Sequence, residues 1–189
     1  MNILEAYIKK YKQFIVLILG LPCSNKSLIA KELVEDLNLP IININNYLKK
    51  NSIIEKTIQG TTFKLYEHPD NYDWEKLNND VNEKKEQGLI LYGNYIDPTK
   101  INFDWDFSFF LSINTNLCKS LLIEKQMLPY KDEEEKVKIY FDEIFNPIYE
   151  KLKKDIKINK FFNIKETTEF NDTYDQLFDL LMTYINAKL

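Results

Sequence analysis

Arginine is absent from this 189-residue chain, and all 25 of its basic side chains are lysine. Lysine meets a phosphate as a point charge and lacks the planar fork with which arginine grips two oxygens at once. Any phosphate site must therefore be built from lysine, backbone N–H groups and hydroxyls. Cysteine is scarce: Cys23 and Cys118 have no metal-ligand spacing and no even framework, so reduced thiols are expected. The single histidine, His68, precedes Pro69 and reads as part of a turn, with no acid–base partner that the sequence can place. Long apolar runs are missing too. The longest, Phe14 to Leu19, is six residues and cannot cross a bilayer. The opening MNILEAYIKKYKQ carries no apolar stretch followed by a small-residue cleavage site. Positive charge is not in excess: the net charge of −4 weighs against a nucleic-acid partner. These absences together lead us to expect a cytoplasmic protein with no membrane or nucleic-acid partner.

What is present is a composition of 44% hydrophobic and 29% charged residues, suited to one folded domain over residues 1–189. Lysine-only basicity and 20 asparagines agree with coding bias in an AT-rich genome. Ile3, Leu4, Tyr7, Ile8 and Tyr11 recur at helical spacing and predict an N-terminal helix within residues 1–13. The run 14–19 has no polar alternation, as expected of a parallel strand covered on both faces. Further strands are predicted at PIININ (40–45), LILYGNYI (89–96), FSFFLSI (107–113) and KFFNI (160–164). Helices are predicted at 26–38, about 46–57, 73–87 with Gly88 as its C-cap, 115–127, 133–154 and 171–188. Alternating strands and helices imply right-handed crossovers, and hence an α/β fold with a five-stranded, mainly parallel sheet and helices on both faces.

The stretch Gly20-Leu21-Pro22-Cys23-Ser24-Asn25-Lys26-Ser27 differs by one letter from the phosphate-binding pattern G-x-x-x-x-G-K-[ST], and it sits between a strand and a helix as that pattern requires. In such a loop, successive N–H groups and the positive end of the helix cradle phosphate. Lys26 would reach the β- and γ-phosphates, and Ser27 would hold Mg²⁺. Asn25 stands in place of glycine, and asparagine is among the few residues that tolerate a left-handed backbone. Lys26 is expected to lie in solvent when the site is empty. The alternative is an ordinary strand–turn–helix in which Lys26 is a solvated charge and Ser27 caps the helix.

A second stretch, LYEHPDNYDWEKL (65–77), joins the loop in a wider resemblance. Residues Tyr66-Glu67-His68-Pro69-Asp70-Asn71-Tyr72-Asp73 match a phrase like F-D-H-P-D-A-F-D, and the chain resembles the uridine kinase and nicotinamide riboside kinase branch of the P-loop kinases over about residues 14–165. The resemblance implies a P-loop NTPase fold with ATP and Mg²⁺ as cofactors. It also implies a nucleoside-like acceptor whose hydroxyl takes the γ-phosphoryl group. It places Gly20, Cys23, Ser24, Asn25, Lys26 and Ser27 at the phosphates, Glu67 at the ribose hydroxyls, and Lys125 where a lid residue contacts phosphate, in a lid of about 125–136. Asp70 would join the substrate site; read from the residues alone, Glu67 and Asp70 could equally be solvated turn residues, with Asp70 capping the helix that begins near Asp73. Tyr47, Tyr92 and Tyr95 follow predicted strands and are candidates for stacking on a base, Tyr47 and Tyr95 foremost.

The chain departs from that family where chemistry is done. Asn45 stands where the family has its catalytic Asp, and an amide cannot accept the hydroxyl proton. Gly93 and Asn94 replace an E-G pair whose acid supports Mg²⁺. Leu121 and Leu122 occupy lid positions that are usually arginine. The short connection before residue 89 leaves no room for the family's base-binding hairpin. Two functions therefore stand open: a phosphotransferase acting on a nucleoside-like hydroxyl, and a weakened kinase-fold protein that binds nucleotide or a protein partner.

Overall fold

A computed structural model of the chain describes residues 2–49, 51, 53–124, 133–165 and 169–189. The first helix, α1 (Ile3–Tyr11), opens with a reciprocal cap in which Asn2 and Glu5 each accept from the other's backbone N–H. Strand β1 (Ile15–Gly20) follows and is buried along its whole length. Then come α2 (Lys26–Leu37), β2 (Ile41–Asn43), a hairpin of β3 (Glu55–Ile58) and β4 (Thr61–Lys64), and α3 (Trp74–Lys84). Strands β5 (Leu89–Gly93) and β6 (Phe107–Ile113) precede α4 (Thr115–Glu124). Helices α5 (Glu134–Tyr140) and α6 (Asn146–Asp155) are joined by a π-helical turn, Phe141–Phe145, and β7 (Lys160–Ile164) and α7 (Phe170–Lys188) end the chain.

Five strands form one sheet in the order β2-β5-β1-β6-β7, and every neighbouring pair is parallel. This is the expected α/β architecture, and it is consistent with a P-loop NTPase fold. Period-2 alternation explains the two cores. Ile15, Leu17 and Leu19 of β1 point into one apolar cluster, with Leu77 and Val81 of α3, Ile144 and Tyr149. Val16 and Ile18 point into the other, with Tyr7 of α1, Ile29 and Leu33 of α2, and Leu181 of α7. The sheet is thus covered on both faces, which is why β1 reads as a continuous apolar run.

From β1 the chain passes to one side of the sheet, to β2, and later returns past β1 to β6 and β7 on the other side. The carboxyl end of β1 therefore lies where the winding reverses, the place at which open α/β sheets form their crevices.

One predicted element is overturned. The described residues of 46–57 do not form an α-helix: a 3₁₀ turn covers Ile44–Tyr47, and Glu55–Ile58 pairs antiparallel with Thr61–Lys64. The reversal is made by Gln59 and Gly60, both at positive φ (51° and 78°), as a two-residue hairpin demands. The connection before β5 carries no hairpin, only the 3₁₀ turn Lys85–Gln87 and Gly88 at φ 89°. Among the described residues no helix is long and apolar enough to cross a membrane.

Candidate functional site

The loop after β1 takes its shape from close packing at Gly20. A Cβ there would meet the Leu111 carbonyl oxygen at 2.6 Å and Ser24 Oγ at 2.8 Å, so no other residue fits without a shift. Two residues then adopt left-handed backbone, Cys23 (φ 64°) and Asn25 (φ 61°). Asparagine thus does hold the conformation for which the pattern prefers glycine. Asn25 is the N-cap of α2 through its carbonyl, which accepts from the N–H groups of Leu28 and Ile29 at 3.0 and 3.1 Å; its side chain makes no capping bond. Ser27 is therefore inside the first turn and not the cap. It is exposed. N–H groups in a first helical turn have no intrahelical acceptor, so Lys26 and Ser27 offer donors at the mouth of the loop. Ser24 is fully buried, and its hydroxyl oxygen has no hydrogen-bond partner.

Lys26 is the main surprise. It is only 8% exposed, and its ammonium donates to the Leu21 carbonyl at 3.2 Å. Neither the expectation of a solvent-borne lysine nor the reading as a solvated surface charge holds. Burial pushes its pKa down to about 8, because the charged form loses water that one carbonyl does not replace.

Loop and strand ends enclose a cavity of about 710 Å³, to which Cys23, Asn25, Lys26, Ser27, Asn45 and Glu67 all contribute. Asn45 lies in the 3₁₀ turn after β2, and its Oδ1 accepts from the Asn94 N–H at 3.2 Å, tying the end of β2 to the end of β5. A side chain at Gly93 would meet the Ile44 Cβ at 2.7 Å, so packing itself excludes an acid from that position.

Glu67 reaches the cavity from the far side of the hairpin. Buried Asn71 fixes its arm: the Asn71 amide donates to the Leu65 carbonyl and its Oδ1 accepts from Ile54 N at 3.0 Å. Tyr140 of α5 donates its hydroxyl to Glu67 Oε2 at 2.5 Å. Desolvation raises the Glu67 carboxyl above its ordinary value, with the Tyr140 hydrogen bond acting the other way.

Other predicted residues lie elsewhere. Asp70 is exposed, 3.4 Å from the Lys100 ammonium and outside this cavity. The cap of α3 is Asp73, whose Oδ1 accepts from Lys76 N at 3.1 Å. Tyr47 donates to Asp80 Oδ2 at 2.6 Å and does not line the cavity. Tyr95 packs with Tyr72 and Trp74 and lines a separate pocket with His68 and Asp155. The chain turns after β2 and β5 aim both rings at α3 or α6 and away from the strand ends. Lys125 falls outside the described residues.

The cavity also takes in Asn43, Tyr66, Tyr92, Asn94, Leu122 and Phe145. Asn43 and Asn94 were legible by position, since they stand at or just past the carboxyl ends of two parallel strands. Tyr140, by contrast, carries no sequence signal that would link it to Glu67.

The fit to a nucleotide rests on the loop: a cradle closed against a Cβ at Gly20, an orphaned Ser24 hydroxyl and a buried lysine. Ser27 is the residue that would hold Mg²⁺. Among the described residues no group of three or more His, Cys, Asp or Glu side chains could hold a metal ion, so phosphate oxygens and water would supply the remaining ligands.

No family model and no curated protein matches the chain. Among solved structures it is similar to thymidylate kinase from Candida albicans, at 16% identity over 90% of this chain and 92% of that one, with a TM-score of 0.47. It is likewise similar to an uncharacterized protein from Eubacterium ventriosum, at 14% identity over 92% and 99% of the two chains and a TM-score of 0.47. A third is YorR from Bacillus subtilis, solved in complex with phosphorylated GDP, at 14% identity over 89% and 95% and a TM-score of 0.48.

Proposed function

We propose that the chain is an ATP-dependent phosphotransferase that passes the γ-phosphoryl group to a hydroxyl of a nucleoside-like small molecule. The observation that carries this reading is Lys26. A lysine held at the head of a helix in a strand–loop–helix, with its charge desolvated on a cavity wall, is stabilised by what an anionic phosphate would bring. In this reading the loop of Gly20, Cys23, Ser24 and Asn25 surrounds the phosphates, Lys26 meets the β- and γ-groups, and Ser27 holds Mg²⁺. Glu67 faces the acceptor hydroxyls, and Lys125 serves the lid. Mg²⁺ neutralises charge on the phosphates when bound; the chain's own part is to position and to desolvate.

The test has two readouts. Mg-ATP should raise the melting temperature, since a ligand bound only by the folded state stabilises it by RT ln(1 + [L]/Kd). With γ-labelled ATP and a panel of ribo- and deoxynucleosides, label should pass to at least one acceptor. Binding without transfer would favour the second reading, a kinase-fold binding protein. What favours that reading is the cavity's composition: Asn25, Asn43, Asn45 and Asn94 line it, and Glu67 is its one carboxylate among the described residues.

A further inference from the structure

We propose that Glu67 is the general base of this site and that Tyr140 is its positioning residue. The inference rests on the phosphotransfer reading and adds the identity of the group that takes the acceptor's proton.

Three observations carry it. The position from which the resembled family supplies a carboxylate is occupied by Asn45, whose side-chain oxygen is already spent on the Asn94 N–H. Packing of Ile44 against Gly93 closes the other strand end to an acid. Among the described residues, Glu67 is then the sole carboxylate on the cavity that also holds Lys26 and Ser27. A base must be basic, near the reacting hydroxyl and fixed. Glu67 meets the last condition through Tyr140, which reaches it from 73 residues away and holds one of its two oxygens.

Its surroundings suit the task. Tyr66 adjoins it in the chain, Tyr72 faces it from the turn before α3, Tyr140 from α5 and Tyr149 from α6; Lys26 stands on the loop side of the cavity. Burial raises the hydroxyls of Tyr72, Tyr140 and Tyr149, so these rings are neutral at ordinary pH. Tyr149 is buried with its hydroxyl unpartnered, and the nearby Glu67 charge pushes that hydroxyl further up. A carboxyl among phenols and out of water moves upward, toward the range in which a base works best at neutral pH. The step balances simply. The acceptor oxygen bonds to the γ-phosphorus as the bond to the β,γ-bridging oxygen breaks, and that electron pair leaves with ADP. The hydroxyl proton passes to the Glu67 carboxylate and from there to water.

The test compares wild type, Glu67→Gln and Tyr140→Phe in Mg-ATP binding by calorimetry and in turnover of γ-labelled ATP with the nucleoside panel, each across pH. Glu67→Gln should bind Mg-ATP within twofold of wild type, lose about 10²–10⁴-fold in kcat, and lose the acid limb of the pH profile. Tyr140→Phe removes a hydrogen bond that favours the carboxylate, so its acid limb should move to higher pH; a merely structural tyrosine would leave the limb in place. Glutamine keeps the shape of Glu67 and removes a partly desolvated charge, so its melting temperature should equal or exceed that of wild type. Turnover within threefold of wild type in Glu67→Gln, or an unmoved acid limb, overturns the proposal while leaving phosphotransfer intact. A wild type that binds no Mg-ATP or labels no acceptor overturns the phosphotransfer reading, and this proposal with it.

Discussion

Lys26 is a residue at which stability and binding oppose each other. In the unfolded chain its ammonium is solvated and titrates near 10.5; in the folded chain burial lowers this to about 8. Below pH 8 both states hold the proton and the folded state bears the full cost of the buried charge. Between about 8 and 10.5 the unfolded state binds more protons, so stability rises with pH and the cost disappears. Replacing Lys26 by methionine, of similar length and no charge, should therefore stabilise the protein at pH 7 by up to about 3 kcal/mol, at about 1.36 kcal/mol per pKa unit. Urea unfolding would measure this, and the gain should shrink as the pH approaches 10.5. The same variant should lose Mg-ATP binding, because the phosphate has lost its cation. Wild-type affinity for Mg-ATP should likewise weaken as the pH rises past about 8, where Lys26 gives up its proton in the free protein. The position of this lysine was legible from the loop pattern. Its burial was not, because burial depends on how far the loop folds back for its ammonium to meet the Leu21 carbonyl, a matter of backbone angles at Cys23 and Asn25.

At the scale of elements, legibility followed the environment. Strands 107–113 and 160–164 were predicted to the residue, and β1 within one: β1 and β6 because interior strands of a parallel sheet are buried nearly throughout, the edge strand β7 although it buries only Phe162. The hairpin was missed. Its strands alternate weakly, with Phe63 the one fully buried residue in the pair, and its turn is Gln-Gly where Asn-Gly would have signalled it. Yet this hairpin holds the Glu67 arm, through the bond from Leu65 N to the Ile54 carbonyl at 2.8 Å. The turn offers a clean test of backbone strain. Nothing lies within 4 Å of a Cβ built at Gly60, so a substitution there meets only its positive φ of 78°. Gly60→Ala should cost about 1–2 kcal/mol, and Gly60→Asn much less, since asparagine tolerates the left-handed region. Chemical denaturation of the two variants would rank them; equal losses would mean that the turn does not hold this conformation.

For the whole molecule, the sheet separates two layers with different duties. One face carries α3, the hairpin, α4, α5 and α6, and it supplies Glu67 to the cavity and Tyr140 behind it. The other carries α1, α2 and α7. There the two ends of the chain are clasped: Lys10 and Tyr11 of α1 donate to the Lys188 carbonyl at 2.8 and 2.7 Å. Leu177, Leu181 and Ile185 of α7 lie one helical turn apart and are fully buried in the same cluster as Phe14, Phe107 and Phe109. Both layers rest on the same five strands, so they should melt together while differing in what they contribute to the site. Leu181→Ala tests this division. Truncating a fully buried leucine costs about 2–5 kcal/mol. For a chain of this size that lowers the melting temperature by roughly 5–15 °C. Leu181 does not line the cavity, so the extra stability conferred by saturating Mg-ATP should be the same in variant and wild type, the two effects adding as independent sites do. A single cooperative transition, shifted downward with the ligand increment preserved, is the expected melting curve. Loss of the increment would show that the α7 face positions the phosphate loop through α2, whose Ile29 and Leu33 share its core.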